Sequence, residues 1–406
     1  MKNKIKRFDW IIFILMIFLI LLGDFMIFSA STIKQGNTYH YKDFYLKQII
    51  WIVLAFGIFV IVFFTPYPIL ESLILPFYIL SLFMLVLVLF SPPINGSRRW
   101  IPLKVFNLQA SDFAKLMTIL LMAKLISKKY LSHFKIILYA LLVTIPPFVL
   151  IMLEPDLGTS LTFIFIMLAM LVASELPLIY IFLMLSPFFA IITSFWVPVF
   201  IVYLTLLIFI LIKNRYKIYH IIPIITTNIA IAFSTPFFWR HLKTYQQNRI
   251  LTFINPMRDP FGAGYQILQA KIAIGSGGFW GKGFLQGTQK NLNFLPEHHT
   301  DFIFSVIGEE FGFFGCLFLL VLYFLFLNKI SLSLNLLKRD EKRIAAVGIL
   351  AYLIFQIFIN IGMNLGIVPA TGIPLPFISY GGTNLIINVL AVGLILKFLN
   401  ERSVFE

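Results

Sequence analysis

The sequence has little charge and almost no cysteine. Only 12% of its 406 residues are charged, whereas 60% are hydrophobic, and this composition excludes a soluble globular domain. The one cysteine, Cys316, lies inside an apolar run, so the sequence offers neither a disulfide framework nor a thiolate metal site. We therefore predict an integral membrane protein, with membrane lipid as its solvent.

Acidic residues are also scarce, because 17 Asp and Glu stand against 32 Lys and Arg, which gives a net charge of +15. Such a balance could indicate nucleic-acid binding. The cations, however, stand in short clusters between apolar runs, which is the pattern that sets the orientation of a membrane protein. Nucleic acid is therefore not expected as a partner.

Apolar runs of about 20 residues recur along the chain, and each can cross a hydrocarbon core of roughly 30 Å. Those at 177–194 and 196–213 are the weakest because Pro187 and Pro198 interrupt them, and ten spans would remain without them. The predicted fold is an all-α polytopic membrane domain of 10 to 12 helices over residues 1–406. The predicted spans are 9–31, 46–65, 69–91, 111–128, 135–153, 158–174, 177–194, 196–213, 218–236, 301–328, 344–367 and 379–399.

The basic clusters between these spans predict one orientation. Those near 124–135, 213–217, 338–343 and 397–402 all fall on the side of the N-terminus, which the positive-inside rule assigns to the cytoplasm. Both termini are therefore expected in the cytoplasm. Residues 237–300 become a large extracytoplasmic loop before the third-last helix, and the sidedness after residue 236 is the same for ten or twelve spans.

The loop 237–300 is basic and rich in glycine. It contains seven Lys or Arg residues, a pattern that favours an anionic partner, and its glycines would allow the backbone to approach a ligand. The stretch from Tyr265 to Ile274 is predicted to be a short helix lying on the outer leaflet. Two further polar stretches, LEPDLGTS and PATGIPLPFISYGGTN, are expected on the same outer face.

Asp301 begins a long apolar helix and follows Glu297, His298 and His299. Two interpretations are open from this helix alone. Thr300 could cap the helix while Asp301 stabilises its first turn through the helix dipole. Alternatively, a carboxylate beside a basic loop at the lipid interface could act as a general base. The basic neighbourhood favours the second interpretation.

Further acidic residues lie within the predicted spans, where charge is costly unless it faces protein or a watery cavity. Glu309 and Glu310 would lie about 12 to 13 Å deeper than Asp301 along the helix axis, and we expect them to pair with a cation on a neighbouring element. Asp112 and Lys115 share one helix face at i, i+3. They are predicted to form a structural ion pair or to line a cavity.

Taken together, six segments resemble the SEDS family of shape, elongation, division and sporulation proteins, and most closely its rod-shape-determining members. The resemblance covers nearly the whole chain and follows the same order. Two departures from the family pattern are QASD in place of QPSE, and Thr383-Asn384 in place of small serines. The segments are NGSRRWI, QASDFAK, LEPDLGTSL, NRILTFINPMRDPFGAGYQILQAKIAIGSGG, GKGFLQGTQKNLNFLPEHHTDFIFSVIGEE and NIGMNLGIVPATGIPLPFISYGG.

The resemblance implies a peptidoglycan glycosyltransferase that polymerises lipid II outside the cytoplasmic membrane of a bacterium, with undecaprenyl-pyrophosphate-linked glycan as the growing chain. It places the family's essential acid at Asp301, as the base for the acceptor hydroxyl, and the family's fourth-helix acid and lysine at Asp112 and Lys115. Because the family is described with ten spans, 177–217 is interpreted as an inserted helix pair. The candidate substrate-binding residues are Arg98, Arg99, Arg249, Arg258, Lys271, Lys282 and Glu297.

The resemblance also implies partners. A class B penicillin-binding protein would supply transpeptidation, and a divalent cation, Mg²⁺ or Mn²⁺, could accompany the lipid pyrophosphate, although the sequence contains no evident protein cage for a metal. Elongation is preferred over division or sporulation. Two alternatives stay open: a flippase that moves lipid II across the membrane, and a scaffold without catalysis. The polar motifs gathered on the outer face favour chemistry there over transport.

Overall fold

The computed structural model describes residues 7–35, 38–92, 99–103, 106–128, 130–241, 247, 251–252, 257, 259, 264–292, 298–337 and 341–401. These residues form a helical bundle with two small hairpins. The helices are α1 Trp10–Ser31, α2 Phe44–Phe64, α3 Tyr67–Leu89, α4 Ala110–Ile126, α5 His133–Leu153, α6 Leu157–Ala173, α7 Leu178–Thr193, α8 Val197–Lys213, α9 Ile218–His241, α10 Tyr265–Gly277, α11 Thr288–Asn291, α12 Ile303–Leu334, α13 Glu341–Leu365 and α14 Gly382–Asn400.

Each of the twelve predicted spans coincides with one helix, α1 to α9 and α12 to α14, which confirms the all-α polytopic fold. Eight of the described helices are long and apolar enough to cross a membrane, and α6, α7 and α8 are shorter apolar helices. The weakly predicted pair therefore forms as two helices, α7 and α8. Whether that pair is an insertion stays a prediction.

The two hairpins stand at one end of the bundle. Strands β1 Thr32–Gln35 and β2 Thr38–Tyr41 follow α1, and strands β3 Trp100–Leu103 and β4 Phe106–Gln109 precede α4, each pair being antiparallel. At this end α1, α3, α5 and α13 finish, and α2, α4, α6, α12 and α14 begin. It is called the Asp301 face below, because Asp301 directly precedes α12.

Helices α4, α13 and α14 form the centre of the bundle and are largely buried. They carry polar side chains, such as Asp112, Asn360 and Asn388, which lipid would not solvate and which therefore face protein. Small residues permit the close approach. A Cβ on Gly348 would lie 2.7 Å from the sulfur of Met170, so α13 packs directly on α6.

Helix α10 forms as predicted and packs against α12 and α13, and its position on the outer leaflet stays a prediction. After α10 the backbone of residues 277–283 bonds to that of residues 309–314: Lys282 N donates to Glu309 O at 2.9 Å, and Phe313 N donates to Gly278 O at 2.8 Å. Helix α12 opens there at Gly312, whose φ of +64° and ψ of −157° suit only glycine.

Gly312 lies nine residues into α12, roughly 13 Å along its axis. Residues 264–292 therefore descend beside α12 and return, and they are called the re-entrant segment below. Non-helical backbone at such a depth is tolerated because its amides and carbonyls bond to protein. Hydropathy alone could not distinguish this arrangement from a surface helix, since both need one apolar face.

Candidate functional site

Asp301 directly precedes α12 and takes no part in its first turn. The helix begins at Ile303 with Phe302 as N-cap, the Phe302 side chain makes no capping bond, and the first turn holds no acidic residue. The first-turn amide of Ser305 donates instead to Asn364 Oδ1 on α13 at 3.2 Å. The interpretation of Thr300 as a helix cap is therefore wrong. The main chain is fixed instead by α13, since Asn360 Nδ2 and Asn364 Nδ2 donate to the Asp301 carbonyl at 2.9 and 3.1 Å.

The carboxylate of Asp301 and the guanidinium of Arg99 both lie next to Gly372. A Cβ placed on Gly372 would lie 3.2 Å from Asp301 Oδ2 and 3.3 Å from Arg99 Nη1, and the φ of Gly372 is +74°. Only glycine fits this backbone and leaves the space in which the two side chains converge. Asp301 and one predicted substrate-binding cation are thereby brought together from distant parts of the chain.

Arg99 is held in place by the start of α6. Its Nε lies 3.2 Å from Asp156 Oδ2, and since that N–H does not point at the oxygen, the contact is an ion pair without a hydrogen bond. Asp156 in turn caps α6, accepting from Thr159 N at 3.2 Å and from the Thr159 hydroxyl at 2.9 Å. Asp156 belongs to the polar stretch LEPDLGTS, and no local feature of that stretch predicts its contact with Arg99.

The segment that carries Gly372 also packs on α6, because a Cβ on Gly158 would lie 2.5 Å from the Thr371 Cβ. The C-terminal end of this segment bonds to the residues that precede α12. Ser379 donates its hydroxyl to Thr300 O at 2.5 Å, and Tyr380 N donates to His299 O at 3.0 Å. Three loops that are remote in sequence therefore form one site at the Asp301 face. It is called the Asp301 site below.

His299 borders this site and is held neutral. Its ring stacks on Phe44 with centroids 4.3 Å apart. Burial, with the nearby His298 and Lys42, lowers the pKa of His299 to about 4. Among the described residues no group of three or more His, Cys, Asp or Glu side chains could hold a metal ion, so they form no all-protein metal cage, and the expected divalent cation stays a prediction.

Asp112 and Lys115 form a second cluster inside the bundle, with Lys115 Nζ 2.8 Å from Asp112 Oδ1 and both side chains buried. Lys115 Nζ also lies 5.6 Å from the centroid of the Tyr352 ring on α13. Within the described part of the chain, Asp112 Oδ2, the Tyr352 hydroxyl and the Gln356 amide are buried without a hydrogen-bond partner. The ion pair thus lies among buried polar groups between α4 and α13.

Glu309 and Glu310 pair with cations, as expected, but the cations come from the re-entrant segment and not from a neighbouring span. Lys282 Nζ lies 2.7 Å from Glu309 Oε1, and Lys290 forms a fully buried ion pair with Glu310. Lys290 Nζ also donates to Ser29 O at 2.8 Å. Lys290 is not among the predicted substrate-binding residues.

The remaining predicted substrate ligands are distributed unevenly. Lys282 is engaged by Glu309, so the structure gives it a contact that anchors the re-entrant segment. Lys271 lies on α10 against Gly366, where a Cβ would come within 2.2 Å of Lys271 Cε. Arg98, Arg249, Arg258 and Glu297 lie outside the described residues. Of the predicted cations that the structure describes, Arg99 therefore lies beside Asp301.

Comparison with known proteins agrees with this architecture. A family model for FtsW, RodA and SpoVE, described as a cell cycle protein, matches residues 9–404. The chain is 33% identical over 438 residues to "Peptidoglycan glycosyltransferase RodA" of Treponema pallidum (strain Nichols), covering 98% of this chain and 99% of the relative. It is 34% identical over 332 residues to "Peptidoglycan glycosyltransferase MrdB" of Escherichia coli (strain K12), covering 81% and 78%.

Solved structures share the fold over almost the full length. A chain from the work described as "Structural coordination of polymerization and crosslinking by a peptidoglycan synthase complex" matches with a TM-score of 0.73 at 26% identity, covering 98% of this chain and 99% of that one. The crystal structure of the Rod shape determining protein RodA of Thermus thermophilus matches with a TM-score of 0.64 at 25% identity, covering 98% of each chain.

Proposed function

The chain belongs to the FtsW, RodA and SpoVE family of cell cycle proteins, and we propose that it is a peptidoglycan glycosyltransferase that polymerises lipid II. The observation that carries this proposal is the convergence of Asp301 and Arg99 on Gly372. A carboxylate and a cation at one end of a membrane bundle are what transfer from a lipid pyrophosphate requires.

In the proposed reaction, a sugar hydroxyl of the acceptor lipid II attacks the anomeric carbon of the growing glycan with inversion. The new glycosidic bond forms as the bond to the lipid pyrophosphate breaks, and the hydroxyl proton passes to the Asp301 carboxylate. In this proposal Arg99 stabilises the negative charge that develops on the departing pyrophosphate. Asp156 keeps the guanidinium in that place by its ion pair.

We further propose that the Asp301 face is extracytoplasmic and that both termini are cytoplasmic, in the cytoplasmic (inner) membrane of a bacterium. The basic clusters near 124–135 and 213–217 support this orientation through the positive-inside rule. The similarity to a chain of a peptidoglycan synthase complex supports a class B penicillin-binding protein as partner, and the similarity to RodA and MrdB supports a role in elongation.

The test is polymerisation of lipid II by the purified protein, together with a transpeptidase partner inactivated in its own catalysis, followed by gel separation of glycan strands. Asp301→Asn is compared with Asp43→Asn, the same change at an exposed carboxylate on the same face that makes no helix-cap bond. We expect wild type and Asp43→Asn to make polymer, and equally folded Asp301→Asn to make none.

Polymer from Asp301→Asn at the wild-type rate would remove Asp301 from the reaction. If no variant makes polymer, and lipid II crosses the bilayer of liposomes that contain the protein, the protein is a transporter and the proposed enzymatic function is wrong. Absence of both activities, with restored crosslinking by the partner, would leave a scaffold.

A further inference from the structure

Glu154 is a carboxyl that the proposed reaction does not use, and it lies at the edge of the Asp301 site. It follows the last residue of α5 and precedes the cap of α6 by two positions. Its side chain is 2% exposed, and Oε1 has no hydrogen-bond partner. An ionised carboxylate buried in this way would lose its hydration without replacement, so the neutral acid is favoured.

Its charged neighbours strengthen that preference. The groups that act on Glu154 are Asp156 and Arg99. Asp156 accepts a hydrogen bond from Thr159 N and pairs with Arg99. The segment that packs on the start of α6 contributes the uncharged residues Thr371 and Gly372. Burial, followed by the charge of Asp156, raises the pKa of Glu154 to about 8, and Arg99 offsets only part of this.

Arg99 connects this acid to the reacting groups. One side of its guanidinium pairs with Asp156, and its Nη1 lies near Gly372, where the Asp301 carboxylate also lies. Glu154 interacts electrostatically with both Asp156 and Arg99. A negative charge on Glu154 would therefore compete with the Asp301 carboxylate for the guanidinium of Arg99.

We propose that Glu154 is a positioning residue of the Asp301 site: as a neutral acid it leaves Arg99 at Gly372, and its ionisation withdraws Arg99 and stops glycan transfer. This inference rests on the proposed function. The direction of the pH dependence follows from the protonation state of Glu154 that activity requires. Activity is fully present while Glu154 is protonated and is lost as the pH rises through about 8, with a fall of about tenfold by one pH unit above that midpoint.

The test is the pH profile of kcat/KM for lipid II polymerisation, from about pH 6 to about pH 10. Glu154→Gln keeps the shape of the neutral acid and cannot ionise. We expect it to match wild type near neutral pH and to lack the wild-type fall above about pH 8. An unchanged alkaline fall in Glu154→Gln, or inactivity of this variant at every pH, would overturn the proposal.

Asp156→Asn provides a second, directional check, because asparagine still caps a helix but removes the charge that raises the pKa of Glu154. Because the ion pair that holds Arg99 is also lost, kcat/KM of Asp156→Asn should be lower than that of wild type at every pH. The midpoint of its remaining alkaline fall should move to lower pH, and an unmoved midpoint would overturn the coupling of the two carboxyls.

A measurement on the protein without substrate separates this proposal from the proposed function. The infrared band of protonated carboxyls in wild type should decrease with a midpoint near pH 8, and Glu154→Gln should lack that component. If wild type makes no polymer but shows this titration, the proposed function fails while the buried acid stands. If the titration is missing, the positioning role fails whatever the activity.

Discussion

The buried ion pair between Lys290 and Glu310 predicts a large stability loss when one of its partners is replaced. Both side chains are fully buried, whereas the pair between Lys329 and Asp9 is 32% and 15% exposed. Lys290→Met would leave the Glu310 carboxylate buried with Ser29 as its remaining partner. Lys329→Met would leave Asp9 in contact with solvent, so it serves as the matched control.

The expected magnitudes differ clearly. Removing one partner of a buried ion pair costs about 3–5 kcal/mol, because the other charge is left without compensation. Loss of Lys329 from its partly exposed pair should cost less, because solvent screens that pair and Asp9 still accepts from the amides of Ile11 and Ile12. Replacing both buried partners, in Lys290→Met with Glu310→Met, should recover most of the loss, since no uncompensated charge remains.

The assay is unfolding of the purified protein in mixed micelles with increasing denaturing detergent, followed by tryptophan fluorescence. The free energy of unfolding should decrease far more for Lys290→Met than for Lys329→Met, and the double variant should fall between Lys290→Met and wild type. Equal losses for the two single variants, or a double variant less stable than Lys290→Met, would refute the assignment of an energetically coupled buried pair.

Three further predictions concern backbone and protonation. Gly372→Ala should lower kcat, because the methyl group would enter the space between Asp301 and Arg99. Little folded protein should be lost, since the left-handed φ costs an alanine only roughly 1–2 kcal/mol. Gly275→Ala, whose methyl group meets nothing within 4 Å, is the control, and equal kcat values for the two variants would count against the site. Gly312→Ala should sharply reduce the yield of folded protein, since its Cβ would lie 2.4 Å from Gly281 N, whereas Gly57→Ala meets nothing within 4 Å and should fold normally. Because the pKa of His299 is lowered from 6.5 to about 4, the contribution of His299 to stability is present above about pH 6.5 and is lost as the pH falls towards 4. The melting temperature of wild type should therefore fall more between pH 7 and pH 5 than that of His299→Gln. Parallel changes in the two melting temperatures would contradict the lowered pKa of His299.

The helices could be predicted from the sequence because lipid imposes a simple requirement. Each span needs an uninterrupted apolar run, and such runs in 9–31 or 379–399 coincide with α1 and α14. Asp301 could be selected for the same reason, since a carboxylate at the head of a span is unusual enough to need an explanation. The pairing of Asp112 with Lys115 followed from helical spacing.

The features that the sequence did not predict depend on contacts between segments that are remote in the chain. Nothing local in Tyr265–Gly277 distinguishes a helix on a leaflet from one packed along α12, because the deciding bonds are made by main-chain groups that every residue has. Asp156 lies in an ordinary helix-capping position, and its pairing with Arg99 appears only when two loops meet. Lys290 is one of seven cations in the loop 237–300, and its selection depends on Glu310.

The bonds between residues 277–283 and 309–314 have a consequence for how this part of the chain can change its length. They join main-chain atoms in a fixed register, with Gly312 and Gly281 in direct contact. Insertion of one residue between Gly278 and Gly283 would shift every later amide past its carbonyl and move the Lys290 side chain away from Glu310. This stretch should therefore tolerate no insertion or deletion, even where its exposed side chains, such as Phe279 and Trp280, can be exchanged.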